Sequence, residues 1–296
     1  MSVPDNRGTS ATPPPPPNPR ALLREAGLSA KKSWGQNFLC DQTALSVIAE
    51  ATGCGAEQVV LELGAGLGAL TYHLVRRGGR VIAVERDREI VPILRQALLW
   101  AENLSIVEAD ATQMDYREHS ATVGGLLAVC GNLPYQLSGR ILVNVAEAHT
   151  VISRGVFLVQ REVAERLAAK PGNRIYGLLS VLVQRAFDVR ILRNVPPGAF
   201  LPPPKVTSSV VCLSPHRREL NASDADLVAT ARAAFSARRK MLRNSLADGL
   251  SATTANIEAA IGKAGLDART RAETLSIDDF AKLAASLSET GCLPST

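Results

Sequence analysis

The stretch Val59-Val60-Leu61-Glu62-Leu63 runs without a break into Gly64-Ala65-Gly66-Leu67-Gly68-Ala69, and helical spacing begins at once, from Leu70 to Arg77. No other feature of the chain restricts its fold so much. A short run rich in Val and Leu reads as a buried strand. Glycines are needed where a chain leaves such a strand, turns tightly and admits a ligand to its backbone. The next strand, Arg80 to Glu85, ends on an acid at the spacing expected for a group that binds ribose hydroxyls. A nucleoside is therefore expected over the carboxyl ends of the strands.

The same alternation continues downstream. Helices are expected at Thr43 to Ala51, Ile90 to Ala101, Leu137 to Ala148 and Glu162 to Ala169, and a short one at Ala21 to Ala26. Strands are expected at Leu104 to Glu108, Gly125 to Cys130, Val156 to Gln160, Phe187 to Leu192 and Ser208 to Leu213. Short apolar strands alternating with amphipathic helices indicate a doubly wound α/β sheet. After Pro215 the pattern turns helical, with a long periodic segment from Asp224 to Asp248. The expected organisation is a proline-rich disordered tail at 1–20, a sheet domain at 21–215 and a small helical domain at 216–296. The tail, with prolines at every position from Pro13 to Pro17, offers no apolar surface to bury.

Bulk properties narrow the function class only a little. At 296 residues and 46% hydrophobic, the chain can bury a sizeable core. Its net charge of +5 is a mild bias toward a polyanionic partner. The five cysteines, Cys40, Cys54, Cys130, Cys212 and Cys292, form no CxxC pair, so neither a disulfide framework nor a metal site is suggested. No membrane-spanning run or secretion signal is visible, and a soluble cytoplasmic protein is expected.

Which nucleoside binds is less constrained. Gly64, Gly66 and Ala69 also satisfy the GxGxxA dinucleotide pattern, so a nicotinamide or flavin enzyme stays open at this point. Two acids favour S-adenosylmethionine. Glu62 would place negative charge near a cationic methionine end, and Asp110 could accept a hydrogen bond from an adenine amine. Asp110 reads equally well as a helix N-cap.

The fourth strand runs toward Gly131-Asn132-Leu133-Pro134-Tyr135. An exocyclic adenine amine is a poor nucleophile because its lone pair is delocalised into the ring. Acceptors on its two hydrogens, such as the Asn132 side-chain carbonyl and the Leu133 backbone carbonyl, would release that lone pair toward a methyl group. Pro134 would stiffen the turn and the Tyr135 ring would stack on an extruded base. A plain turn with a packed tyrosine is the competing reading.

Taken together, Gly35-Gln-Asn-Phe-Leu39, Glu62-Leu-Gly-Ala-Gly66, Glu85, Asp110, Asn132-Leu-Pro-Tyr135, Phe200-Leu-Pro-Pro-Pro-Lys-Val206 and the segment Phe235 to Leu246 resemble the ribosomal RNA adenine dimethyltransferase family, from about residue 21 to 285. The resemblance implies a Rossmann-like, S-adenosylmethionine-dependent methyltransferase domain followed by a small helical domain. It implies that Gln36, Asn37 and Leu39 surround the cofactor, with Asn37 and Leu39 closing over its methionine end. Gly64 and Gly66 would approach the cofactor, Glu85 would hold its ribose and Asp110 its adenine. Asn132 would lie beside both the sulfonium and the target amine, and Phe200 would stack on the base opposite Tyr135. The implied substrate is small-subunit (16S) ribosomal RNA, in an immature small subunit, methylated by a monomer.

Alternatives are a resistance-type methyltransferase of large-subunit RNA, or a non-catalytic assembly factor on the same fold. An oxidoreductase would leave the Asn132 loop unexplained. Phe235, Leu242 and Leu246 fall on one helical stripe, and Arg232, Arg239 and Arg243 share the same spacing on an adjacent one. The first would pack and the second would face phosphates, or simply solvent.

Overall fold

The computed structural model describes residues 14–216, 220–237 and 239–293. In chain order the elements are α1 (Pro19–Glu25), β1 (Phe38–Leu39), α2 (Gln42–Ala51), β2 (Val59–Leu63), α3 (Ala69–Val75), β3 (Arg80–Glu85), α4 (Ile90–Ala97), β4 (Leu104–Glu108) and α5 (Tyr116–Val123). They continue through β5 (Leu127–Asn132), α6 (Ser138–Glu147), β6 (Ile152–Gln160), α7 (Arg161–Leu167), α8 (Leu178–Gln184), β7 (Phe187–Val195), β8 (Phe200–Leu201) and β9 (Ser208–Pro215). The helices α9 (Asp224–Ala234), α10 (Leu242–Leu250), α11 (Thr254–Lys263) and α12 (Ile277–Glu289) complete the chain.

Seven strands form one sheet in the order β4-β3-β2-β5-β6-β9-β7. The first five are parallel, and β9 and β7 join antiparallel to their neighbours. Helices cover both faces, which is why the central strands are apolar throughout rather than alternating. On one face Leu61, Leu63, Val129 and Phe157 pack with Ile141, Leu142 and Val145 of α6. On the other, Val60, Val81, Val156 and Leu158 pack with Leu45 and Ile48 of α2 and Leu70 and Leu74 of α3. A separate two-stranded sheet pairs β1 with β8, Phe38 against Leu201 and Leu39 against Phe200. Two motifs far apart in sequence are thereby joined.

β5 lies two residues further along the chain than its apolar pattern alone indicates, so that it ends on Asn132 itself. Gly131 makes that possible. A Cβ there would collide with the Leu63 carbonyl oxygen, so only glycine lets the ends of β5 and β2 close together.

Two expectations are corrected. The proline-rich tail is not a solvated segment up to residue 20. Tyr72 Oη donates to the Pro14 carbonyl at 2.8 Å, Pro17 and Pro19 are buried, and Asn18 caps α1, which starts at Pro19. Proline's fixed φ lowers the entropy lost on docking, so few apolar contacts suffice to hold such a segment. The remainder of that expectation, residues 1–13, lies outside the described residues.

The two adjacent helical stripes expected across 232–246 are also not formed; α9 ends at Ala234 and α10 starts at Leu242. Phe235 turns in to stack on Phe280 at 5.9 Å and to meet Tyr176 at 6.5 Å, while Leu242 and Leu246 are fully buried. Burying each such side chain is worth roughly 1.5–3 kcal/mol, more than the few tenths per residue that helix propensity would recover. The arginine stripe therefore does not exist as one helical face. The helical core also takes Ala169, Tyr176 and Val181 from before residue 216, and Tyr176 Oη donates to the Leu275 carbonyl at 3.1 Å.

Candidate active site

The sheet's strand order reverses at β2, which lies between β3 and β5. Such a point opens a crevice beyond the carboxyl ends of the strands. Here it is a cleft of about 1050 Å³, counting its solvent-open mouth. Every residue expected around the cofactor lines it, from Gln36, Asn37 and Leu39 through Glu62, Gly64, Gly66, Glu85 and Asp110 to Asn132. Leu133, Pro134 and Tyr135 line it too.

Glu62 is the most strained acid. It is 1% exposed, and burial pushes its carboxyl up to about 8, with the Glu85 charge adding to the rise. Thr71 lies near enough to favour the carboxylate, yet neither Thr71 Oγ1 nor Glu62 Oε2 makes a well-formed hydrogen bond. A buried carboxylate oxygen without a partner is costly and fits a cationic ligand group.

Glu85 is held differently. Its Oε2 accepts from Gly66 N, and its Oε1 from Arg86 N and Asp87 N, all at 2.8 Å. Burial still outweighs these donors and raises its pKa above the usual carboxylate range. A carboxylate offers about four acceptor positions, so one remains on Oε2 for a ribose hydroxyl. Gly66 supplies its N–H with φ at 55°, where a Cβ would press on the Phe38 ring at 3.2 Å.

Three of the loop's other N–H groups are also committed. Gly64 N and Ala65 N both donate to the Val84 carbonyl, and Gly68 N to Ala65. A dinucleotide's pyrophosphate would meet two buried acids, whereas S-adenosylmethionine brings an ammonium, ribose hydroxyls and an exocyclic amine. The donor set thus fits S-adenosylmethionine.

Asp110 fills the N-cap role expected of it. Its Oδ1 caps the turn at Ala111–Gln113 through Thr112 N and Oγ1, and its Oδ2 pairs with Arg86 at 3.4 Å. Burial opposes its ionisation, but the Thr112 hydrogen bonds and Arg86 prevail and hold its pKa below the ordinary value. Gln36 reaches the cleft wall with both ends of its amide engaged. Nε2 donates to Asp87 Oδ2 at 2.7 Å and Oε1 accepts from Lys31 N at 2.8 Å. Its part is to tie the 31–37 segment to β3, rather than to grasp a ligand.

Asn132 Nδ2 donates to the Asn37 carbonyl at 2.7 Å. Because the partner is a carbonyl, the amide nitrogen must face it, and Oδ1 is left as an acceptor at the cleft. Tyr135 is half-buried with its hydroxyl fixed by Ser208 Oγ at 2.7 Å, which sets the ring's orientation. Phe200 departs from expectation. Its pairing with Leu39 seats it in the core beneath the cleft at 5% exposure, and it is not among the lining residues. The two rings do not form a base-sized slot in this structure.

The arginines lie apart from the cleft. Arg232 pairs with Glu147 at 3.5 Å and Arg243 with Glu258 at 2.7 Å, while Arg239 sits exposed in the turn between α9 and α10. Sequence reasoning missed Pro19, Trp34 and Arg86, all of which line the cleft. Trp34 carries the Arg86 guanidinium 4.2 Å and the Lys31 ammonium 4.8 Å from its ring centre. The signal was present, since Trp34 is one of only two tryptophans and directly precedes Gly35.

Comparison with known proteins agrees with this geometry. The family described as ribosomal RNA adenine dimethylase matches residues 27–289. The ribosomal RNA small subunit methyltransferase A of Anaeromyxobacter sp. (strain K) is 49% identical over 276 residues, covering 90% of this chain and 96% of that protein. The protein of the same name from Myxococcus xanthus (strain DK1622) is 43% identical, covering 90% and 94%. Among solved structures, a dimethyladenosine transferase from Plasmodium falciparum superposes with a TM-score of 0.72 at 23% identity, over 86% of this chain and 98% of that one. The 23S rRNA methyltransferase ErmE gives 0.66 at 24% identity, over 85% and 100%. At those identities the two structures speak to the fold alone. The sequence matches go further: this chain belongs to the ribosomal RNA adenine dimethylase family.

Proposed function

We infer that the protein dimethylates the exocyclic N6 amine of adenines in small-subunit ribosomal RNA, with S-adenosylmethionine as methyl donor. The observation that carries this is Asn132, whose amide is oriented by the Asn37 carbonyl so that Oδ1 remains an acceptor at the cleft. S-adenosylmethionine supplies an electrophilic methyl group on a sulfonium. Glu62 would meet its ammonium, Glu85 its ribose and Asp110 its adenine amine.

The chain's own part is to place and activate the acceptor. Asn132 Oδ1 and the Leu133 carbonyl accept the two amine hydrogens and turn the nitrogen lone pair toward the methyl group. Tyr135, fixed by Ser208, offers a flat face to a base taken out of its helix. No strong base is required, because the methylated nitrogen is acidic and its proton can pass to solvent. In-line positioning supplies the rest of the rate.

RNA docking falls to the α9–α10 region in this reading, with exposed Arg239 flanked by Arg232 and Arg243. A flipped adenine offers too little surface to select a site, so affinity must come from phosphates elsewhere. The excess of +5 charges supports a polyanionic partner. We take that partner to be an immature small subunit, met in the cytoplasm by a monomer. Among the described residues no helix is long and apolar enough to cross a membrane.

The test is methyl transfer from labelled S-adenosylmethionine to purified small- and large-subunit ribosomal RNA, followed by nucleoside analysis. N6,N6-dimethyladenosine in small-subunit RNA is the expected product. Label confined to large-subunit RNA would overturn the assignment in favour of a resistance-type enzyme.

A further inference from the structure

The family match begins at residue 27, yet the cleft wall begins earlier, at Pro19. The segment before it is fixed at both ends. At one end Tyr72, on the helix that follows the glycine loop, donates its hydroxyl to the Pro14 carbonyl at 2.8 Å. Tyr72 is only 4% exposed, Arg76 Nη1 donates to its hydroxyl at 3.3 Å, and Trp100 packs edge-on against its ring at 5.8 Å. The tyrosine is thus held with its proton aimed at the strap, and a proline carbonyl can only accept. At the other end Asn18 accepts from Arg20 N and Ala21 N, which fixes Pro19 at the start of α1.

Beyond Pro19 the same helix reaches the site's floor. Leu23 packs with Phe38, Leu67 and Ile90, and Phe38 is the ring that crowds Gly66, whose N–H holds Glu85. Residues 14–19, at most about 3.3–3.6 Å each, reach from α3 to the mouth of the cleft. Proline at 14 to 17 removes freedom before docking, so a single hydrogen bond and two buried rings can hold the segment closed.

We propose that residues 14–19 form a strap, positioned by Tyr72, that makes Pro19 part of the cofactor cleft and slows cofactor exchange. Opening the strap exposes the cleft without altering the acids inside it. Release of bound cofactor or its demethylated product then depends on a contact remote from Glu62, Glu85 and Asp110.

The experiment measures the dissociation rate of S-adenosylhomocysteine by competition in stopped flow, on three proteins. These are the full chain, a form lacking residues 1–17, and the full chain carrying Tyr72→Phe. The deletion should release S-adenosylhomocysteine about ten-fold faster and Tyr72→Phe roughly three-fold faster. The melting temperature of the ligand-free Tyr72→Phe protein should be unchanged, which separates a strap from a purely structural contact. Unchanged dissociation in a folded deletion protein would overturn the proposal. Should the deletion fail to fold, Tyr72→Phe decides alone, and an unchanged rate there would overturn it equally.

Discussion

The acids of the cleft and the arginines of the helical region are held in opposite ways. Glu85 is anchored by three backbone N–H groups and Asp110 by a backbone N–H and a hydroxyl, all within a rigid sheet-end. Arg232 and Arg243 are held by single exposed carboxylates, and Arg239 lies in a turn. Backbone anchoring fixes a charge to the fold itself, whereas an exposed ion pair contributes about 0–1 kcal/mol and can be exchanged for another anion. Under the proposed function, chemistry would be placed where geometry cannot drift, and docking where partners can be traded.

Substitutions at the two kinds of position put that contrast at risk. The largest effect is expected at Asn132, where Asn132→Ala should reduce single-turnover methyl transfer by about 10²–10³-fold, the usual cost of losing one aligned polar group at a reacting centre. Cofactor affinity measured by calorimetry should stay within several-fold, and a variant of near-normal rate would remove Asn132 from the chemistry.

Glu62 comes next. Its raised pKa means that the folded state bears a cost absent below pH 4.5, growing as pH rises and levelling off above about 8. Glu62→Gln should therefore gain stability over the native protein as pH rises from about 5 to 8, reaching on the order of 4–5 kcal/mol near pH 8, while losing cofactor affinity. Parallel unfolding curves across that range would show that the acid is not strained.

Glu85→Ala should weaken cofactor binding by about 1.5–3 kcal/mol, since charge-assisted hydrogen bonds are lost together with the Gly66 anchor. Unchanged calorimetric affinity would take it out of the site. Phe200 offers a finer distinction. If it leaves the core to stack on the base, Phe200→Leu should cost activity toward RNA of about 1–3 kcal/mol. Full activity would make it a packing residue, in keeping with its burial beneath the cleft.

The smallest effect is expected for Arg239→Glu combined with Arg232→Glu. The salt dependence of RNA binding should fall by roughly one log–log unit for each phosphate no longer neutralised, with melting temperature and cofactor affinity nearly unchanged. An identical slope would assign these side chains to solvation.

The sequence was most readable where the backbone itself demanded a residue. Gly66 and Gly131 stand where a side chain would strike Phe38 or the Leu63 carbonyl, so the loops they build were visible as motifs. Glu85 and Asn132 follow from their places at strand ends. The sheet's order and the β1–β8 pairing carry no such local mark, because they arise from contacts between distant segments. Pro19, Trp34 and Arg86 reach the cleft only through such contacts. The arginine stripe misled for the same reason: its spacing was helical, but burial of Phe235, Leu242 and Leu246 broke the helix that would have aligned it.

The proposed function rests on one Asn132-centred cleft that would dimethylate adenine in small-subunit ribosomal RNA. The decisive measurement is mass spectrometry of ribosomal RNA from cells lacking the gene, complemented with the native protein or with Asn132→Ala. N6,N6-dimethyladenosine should disappear from small-subunit RNA, return with the native protein, and stay absent with Asn132→Ala. Loss of the modification from large-subunit RNA alone, or its return with Asn132→Ala, would contradict that assignment.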